Sequence, residues 1–203
     1  MISNSLQWAP LVTSFLVGGV LLPLWFLGAF RRITFHKGTF RSSLFVYQTV
    51  QGPYSEVGPH FQKVVNFLNE NDMNHVSTAG MYYDDPETTS NPRSAVGFLV
   101  GPRNENEWNQ IPEHEKRKWK VMVMKETDTI VSLFPMKWMA VSCALSAIKT
   151  YPAFKKQKEL FASMKSGTVE IYNSSERIIE THFPQNNFDQ FCPKPSDWST
   201  KAD

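Results

Sequence analysis

The sequence has few of the residues that build disulfide frameworks or metal centres. Its 203 residues include Cys143 and Cys192, which lie far apart and belong to no CxxC pair. A disulfide-stapled fold needs more cysteines at closer spacing, and a structural zinc site needs clustered thiolates or imidazoles. We therefore expect two free thiols, as is typical of a reducing compartment, and neither a bound metal nor a cofactor.

The sequence also lacks a strong excess of charge of either sign. Lys and Arg number 21 and Asp and Glu number 19, which leaves a formal net charge of +2 at pH 7. A balance so close to neutral does not predict nucleic-acid binding, which needs a basic surface. The five histidines are scattered, and no HExxH, P-loop, GxGxxG or GxSxG motif occurs. We therefore predict no catalytic residues and no enzymatic activity.

A long apolar run occupies the N-terminal end of the chain. Residues 1–30 carry no charged side chain, and the run from Trp8 to Phe30 is 23 residues long. As a helix it would span roughly 34 Å, which is enough to cross a hydrocarbon core about 30 Å thick. We interpret residues 1–30 as a short N-terminus and a transmembrane helix. A cleaved signal peptide and a buried core helix are the alternatives, and the first of these would need a basic segment before the run.

The charges that flank this run predict its orientation. Arg31 and Arg32 follow the run directly, and no basic residue precedes it. Because positively charged flanks stay on the cytoplasmic side, we expect a lumenal N-terminus, a lipid bilayer around the helix and the rest of the chain in the cytosol. Residues 31–42 then form a basic linker.

Residues 43–183 show strand and helix patterns in a doubled order, strand–helix–strand–strand, with a polar connection between the copies. The predicted strands cover residues 44–50, 79–83, 93–100, 119–124, 129–134, 168–172 and 177–183. Helices are predicted over 55–69 and from 135 onward, with a break at Pro152 because proline removes a backbone donor. Two copies of one unit predict an α+β domain in which the helices cover a sheet. Residues 184–203 are predicted to be a short disordered tail.

Several short motifs occur in an order that resembles a known family. They are Gly52-Pro53-Tyr54, Tyr82-Tyr83-Asp84-Asp85-Pro86, Ala95-Val96-Gly97, Phe134-Pro135, Tyr151-Pro152-Ala153 and Glu170-Ile171-Tyr172. Together, over residues 8–183, they resemble the testis-expressed ER-phagy receptor family, whose members carry one GyrI-like domain behind a membrane anchor. The resemblance implies a GyrI-like effector-binding fold in the cytosol, held at the membrane of the endoplasmic reticulum.

The resemblance also implies an interaction protein or receptor for selective autophagy of the endoplasmic reticulum (reticulophagy). Receptors of the family bind lipidated autophagy ubiquitin-like proteins through an aromatic–x–x–aliphatic motif in a long tail, which adds a strand to the partner. Here the tail aromatics Phe188, Phe191 and Trp198 are followed three residues later by Phe191, Lys194 and Lys201. The tail therefore departs from the family pattern. Binding to autophagy ubiquitin-like proteins would then occur either directly, through residues other than this motif, or through an adaptor protein.

The bacterial relatives that the resemblance implies have a groove that binds small, often cationic, ligands around a central glutamate. Glu170 matches that glutamate by its place in Glu170-Ile171-Tyr172. The candidate rings for cation–π contact are Tyr172, Trp138, Tyr82, Tyr83 and Tyr47. The alternative function is therefore a membrane-tethered small-molecule-binding domain without receptor activity. A hydrolase that uses Glu170 remains open, as does a Glu170 that faces solvent while the aromatic residues pack the core.

Overall fold

The computed structural model describes residues 18–157, 161, 167–186 and 188–198. Helix α1 covers residues 18–26 of this part. The elements that follow are β1 (His36–Phe40), β2 (Ser43–Gln51), α2 (Gly58–Glu70), β3 (Thr78–Tyr82), β4 (Arg93–Val100), α3 (Glu105–Gln110), α4 (Glu113–Lys116), β5 (Lys120–Met124), β6 (Thr127–Pro135), α5 (Met139–Lys156), β7 (Thr168–Asn173) and β8 (Ile178–Pro184). Short 3-10 helices cover Tyr54–Glu56, Phe188–Phe191 and Pro195–Trp198.

The strands of the described chain form one eight-stranded antiparallel sheet in the order β1-β6-β8-β7-β3-β4-β2-β5. The units β2–α2–β3–β4 and β6–α5–β7–β8 repeat one another and meet where β3 pairs with β7. Strand β1 pairs with β6 of the second unit, and β5 pairs with β2 of the first. Only Arg41 and Ser42 separate β1 from β2, although these two strands lie near opposite ends of the sheet order. The sheet therefore curls into a half-barrel. The predicted α+β class is confirmed.

Some element boundaries differ from the sequence prediction. Strand β1 lies inside the predicted linker. The sequence did not predict it because Phe40 is its single buried residue, so it shows no alternation of apolar and polar residues. Helix α5 continues through Pro152 to Lys156. Pro152 is exposed and Ile148, one turn earlier, is 69% exposed, so the carbonyl group that loses its partner lies on the solvent side of the helix.

The C-terminal segment predicted to be disordered packs, over residues 188–198, on the sheet face opposite the helices. Phe188 is 5% exposed and Phe191 is 0% exposed. Tyr83 Oη donates a hydrogen bond to the Phe191 carbonyl oxygen at 2.8 Å, and Tyr47 Oη donates to Asp197 Oδ2 at 2.9 Å. Burial of aromatic surface therefore holds this segment against the sheet and covers the face that the helices leave open.

The structure does not contain the predicted membrane helix in its described part, where no helix is both long and apolar enough to cross a bilayer. Helix α1 ends before Gly28, whose φ of +84° ends the helix in a turn, so the apolar run does not continue as a helix to Arg31 and Arg32. Residues 8–17 of the predicted span lie outside the described residues. On this finding, the prediction of a single-pass protein of the endoplasmic reticulum membrane with a lumenal N-terminus is wrong.

The two long helices cover the same face of the sheet with different surfaces. Helix α2 packs on β3 and β4 and buries apolar residues, among them Val64 and Leu68. Helix α5 instead buries Ser142, Ser146 and Thr150, which recur every fourth residue on one side of the helix. The core under α2 is therefore hydrophobic, whereas the layer under α5 is partly polar.

Gly97 of β4 supports close strand pairing with β2, and we expect Gly97→Ala to destabilise the fold. A Cβ at Gly97 would overlap the Val46 carbonyl oxygen and would lie 2.8 Å from Tyr47 Cα. Because backbone atoms cannot rotate away, we expect the substitution to lower the free energy of unfolding by roughly 2 kcal/mol or more. Chemical denaturation measures this change. Gly101→Ala is the control, since its Cβ would meet a side chain at an ordinary 3.9 Å, and equal losses in both variants would contradict the explanation.

Candidate functional site

Glu170 lies at the centre of the sheet, on the face that α2 and α5 cover. It stands on β7 opposite Gly80 of β3, and it is 7% exposed. Because side chains alternate along a strand, Glu170 shares its face with Thr168 and Tyr172. A solvent-facing Glu170, one of the alternatives left open by the sequence, is therefore excluded.

Tyrosine hydroxyl groups hold both carboxylate oxygens of Glu170. Tyr151 Oη of α5 donates to Oε1 at 2.9 Å, and Tyr172 Oη donates to Oε2 at 2.5 Å. Tyr151 Oη also lies 3.0 Å from Thr168 Oγ1, and Tyr82 Oη lies 3.4 Å from Tyr172 Oη. The hydrogen-bond network therefore runs from α5 across β7 to β3 and fixes the orientation of the carboxylate.

Partly exposed aromatic rings stand around this buried centre. Phe61 of α2 makes an edge-to-face contact with Tyr172, with ring centroids 5.1 Å apart, and Tyr54 makes a similar contact with Tyr82 at 4.9 Å. A Cβ at Gly80 would lie 3.0 Å from the Phe61 ring and 3.1 Å from Tyr82 Oη. The absence of a side chain at Gly80 therefore lets these rings approach the sheet beside Glu170.

The buried position changes the ionisation of several groups in the site. Burial raises the pKa of the Glu170 carboxyl above its ordinary value of 4.5, and the hydrogen bonds from Tyr172 and Tyr151 partly offset that rise. Burial and the nearby Glu170 charge raise the pKa of Tyr82, Tyr151 and Tyr172 and bring the pKa of the Cys143 thiol to about 12. At neutral pH the groups around Glu170 are thus uncharged.

No cation of the described residues pairs with Glu170. The ion pairs in this part of the chain involve other acidic residues, and burial and the tyrosine hydrogen bonds account for its pKa shift. A buried carboxylate is normally paired or neutralised. The ionised form of Glu170 therefore has both oxygens hydrogen-bonded, but the described residues provide no balancing positive charge.

A row of small polar residues continues from Glu170 toward β6. Thr181 of β8 stands opposite Glu170, and Ser132 of β6 stands opposite Thr181. Both are 1% exposed, and neither hydroxyl group has a hydrogen-bond partner among the described residues. Because buried hydroxyl groups usually have partners, this row offers unused hydrogen-bonding capacity beside the carboxylate.

Helix α5 covers this polar row with more hydroxyl groups. Near the end of the helix, Phe154 stacks on Phe183 with ring centroids 4.7 Å apart. Near its start, the Cys143 thiol interacts electrostatically with the Glu170 carboxylate. The turns between them carry Ser146 and Thr150, whose buried hydroxyl groups also have no partner in the described part of the chain. The middle of the space between α5 and the sheet is therefore polar on both sides.

The structure brings together some of the predicted site residues and separates others. Tyr82 and Tyr172 lie beside Glu170, as expected for a shared site. Tyr47 and Tyr83 face the opposite side of the sheet, where they hold the C-terminal segment. Trp138 lies at the N-cap of α5 and is 67% exposed. These three rings therefore do not surround the glutamate.

Sequence reasoning missed Tyr151 and Phe61. Tyr151 belongs to the Tyr151-Pro152-Ala153 motif, but a predicted helix break at Pro152 gave no sign that its hydroxyl group would reach Glu170. Phe61 lies on the apolar stripe of α2, and periodicity alone assigns such a residue to the core. Both contacts depend on how the helices cross the sheet.

We expect Glu170→Gln to stabilise the protein at neutral pH. Because the pKa of Glu170 is raised on folding, its contribution to stability is fully present below about pH 4.5 and is lost as the pH rises through the folded-state pKa. The neutral amide avoids that loss, so the free energy of unfolding should be higher than that of the wild type at pH 7, and the gain should shrink toward pH 4. Denaturation across pH measures it.

Glu176→Gln, in the exposed turn between β7 and β8, is the matched control for this prediction. It removes the same charge from the same hairpin without touching the buried site. A pH-independent difference between Glu170→Gln and the wild type would contradict the assignment of a raised pKa.

No family model matches the sequence, and no curated protein does. Among solved structures, the chain is similar to SAV2435 bound to tetraphenylphosphonium, with a TM-score of 0.51 and 7% identity over 77% of this chain and 96% of that one. A putative bacterial transcription regulation protein from Staphylococcus aureus MU50 matches with a TM-score of 0.46 and 9% identity, over 74% and 97% of the two chains. The EcmrR C-terminal domain matches with a TM-score of 0.40 and 10% identity, over 75% and 96%.

These similarities concern the fold alone. The likeness to SAV2435 agrees with the GyrI-like fold that the family resemblance had implied. Identity this low carries no residue of one protein onto the other, and it does not bear on membership of the ER-phagy receptor family.

Proposed function

We propose that this chain is a small-molecule-binding domain that takes a lipophilic organic cation at Glu170. The observation that carries the proposal is a carboxylate that is 7% exposed and has no ion pair among the described residues. An opposite charge placed beside such a group is favourable because burial weakens screening by water. A cationic ligand would supply the positive charge that the described residues do not provide.

The rings around the site favour a cation with an apolar body. Tyr54, Phe61 and Tyr82 are each partly exposed, so a ligand with aromatic or aliphatic arms would remove further apolar surface from water. Their faces and the face of Tyr172 also attract a positive charge. A compact, strongly hydrated ion would lose its water on entry, whereas a lipophilic cation loses little.

The fold comparison supports this ligand class in a limited way. SAV2435, which shares the fold, was solved with tetraphenylphosphonium, and that compound is a lipophilic cation. The argument for this chain still depends on its own Glu170 and the surrounding rings, because the similarity extends to the fold alone.

Receptor activity in reticulophagy remains a prediction, and so do family membership, contact with autophagy ubiquitin-like proteins and a hydrolase role for Glu170. The described tail gives the receptor role no free aromatic anchor. Phe188 and Phe191 are buried against the sheet, and Trp198 makes an edge-to-face contact with Tyr83 at 5.5 Å. Strand addition through these residues would require the segment to leave the sheet.

We expect the full chain to bind tetraphenylphosphonium and to bind tetraphenylborate far more weakly, because the two ions share a shape and differ in charge. Glu170→Gln should lower the affinity for the phosphonium by about tenfold or more, while Glu176→Gln should leave it unchanged. Isothermal titration calorimetry measures both. Equal binding of the two ions, or full affinity in Glu170→Gln, would refute the proposal.

The affinity for tetraphenylphosphonium should also depend on pH. The ligand has no titratable group, so a change in affinity reports the protein. Because the pKa of Glu170 is raised above 4.5, the affinity should fall as the pH is lowered through that raised value and protonation removes the negative charge. The same titration with Glu170→Gln should be flat, and a fall of equal size in that variant would assign the effect to another group.

A further inference from the structure

A cavity lies at the end of α1, away from Glu170. Its volume is about 380 Å³, which is within the range of small-molecule sites. It opens where the end of α1 and the following turn face the junction of β6 with α5. Its lining residues are Trp25, Phe26, Gly28, Phe30, Arg31, Pro135 and Lys137.

Specific contacts hold the turn that forms one wall of this cavity. The Gly28 N–H donates to the Trp25 carbonyl at 3.0 Å and the Ala29 N–H donates to the Leu24 carbonyl at 2.9 Å, which is the pattern of a Schellman helix end. Lys149 Nζ of α5 donates to the Ala29 carbonyl at 2.7 Å. A Cβ on Gly28 would lie 3.1 Å from the proline ring at the end of β6. The turn that forms this wall is therefore packed against β6 and hydrogen-bonded to α5.

The charge at this cavity is positive. Arg31 and Lys137 line it, and none of its described lining residues is acidic. Lys137 Nζ lies 5.4 Å from the centre of the Phe26 ring, a cation–π contact that holds the ammonium group at the cavity. Neither cation has an ion-pair partner in the described part of the chain. Their charges are available to a ligand.

The apolar part of the lining is unusually exposed. Trp25 is 70% exposed, Phe26 57% and Phe30 60%. Clustered large aromatic residues on a surface indicate a binding site, and these three surround the same concave space as the cations. An occupant that satisfies both features has a flat or flexible apolar body and a negatively charged end.

We propose that this cavity binds a small organic anion, whose apolar body lies against Trp25, Phe26 and Phe30. Its carboxylate or sulfonate group pairs with Arg31 and Lys137, since charge-assisted hydrogen bonds to such groups are strong. The site takes ligands of the opposite charge to those proposed for Glu170 and shares no residue with that site.

The test compares 8-anilino-1-naphthalenesulfonate with N-phenyl-1-naphthylamine, which has the same rings without the sulfonate group. We expect the full chain to bind the sulfonate at least about tenfold more tightly, as followed by probe fluorescence. Lys137→Glu and Arg31→Glu should each weaken sulfonate binding by a similar factor, and Lys137→Arg should retain it. Equal affinity for the two probes would overturn the proposal.

Controls separate this cavity from other causes of probe binding. Lys63→Glu, at an exposed position of α2, makes the same change in net charge and should not affect the affinity. Glu170→Gln should leave it unchanged as well, so failure at one site is distinguishable from failure at the other. Unchanged affinity in both Arg31→Glu and Lys137→Glu, or sulfonate binding that appears only with dimerisation in sedimentation experiments, would refute the assignment.

Discussion

The pairing of β3 with β7 joins the two halves of the domain, and the site depends on it. It places Gly80 of one repeat opposite Glu170 of the other, at the line where both helices reach the sheet. Without a side chain on β3 at this point, Phe61 and Tyr82 can approach the carboxylate from one repeat while Tyr151 and Tyr172 bind it from the other. The site is thus a product of the interface between the repeats and does not belong to either alone.

The two helices divide stability and binding between them. Under α2 the core is apolar and contains aromatic residues in contact, such as Phe67 with Phe98 at 5.7 Å, which provides the ordinary hydrophobic driving force for folding. Under α5, buried serine and threonine residues lie over a buried glutamate, an arrangement that adds little to stability. A layer of this kind persists because the rest of the core holds it in place, and it leaves polar groups positioned for a ligand.

Helix α5 also connects the two proposed sites. Tyr151, near its C-terminal end, binds the Glu170 carboxylate. Lys149 holds the turn after α1, and Lys137, just before the helix, lines the cavity at the end of α1. The opposite face of the sheet is closed by residues 188–198, whose aromatic side chains pack against it. The molecule therefore presents its unusual polar and charged features around α5, and its other face is a conventional packed core.

The sequence by itself determined the local elements, because the periods of strands and helices depend on neighbouring residues. It predicted the doubled order, the α+β class and a place for Glu170 beside Tyr172. It grouped Tyr82 and Tyr83 as candidate rings of one site, and it did not show on which side of the sheet each ring would lie. Packing decided that, since α2 and α5 lie over Tyr82 while the C-terminal segment binds Tyr83.

Other features required tertiary structure for the same reason. The pairing of β1 with β6 joins segments about ninety residues apart, and the weak apolar pattern of β1 gave no local signal. The path of α5 through Pro152 brings Tyr151 to Glu170, and the turn at Gly28 ends the apolar run that the sequence predicted would continue as a helix. The pairing of β1 and the path of α5 depend on contacts between distant residues, which no short window of sequence contains, whereas the turn at Gly28 is a local helix end that Lys149 also contacts.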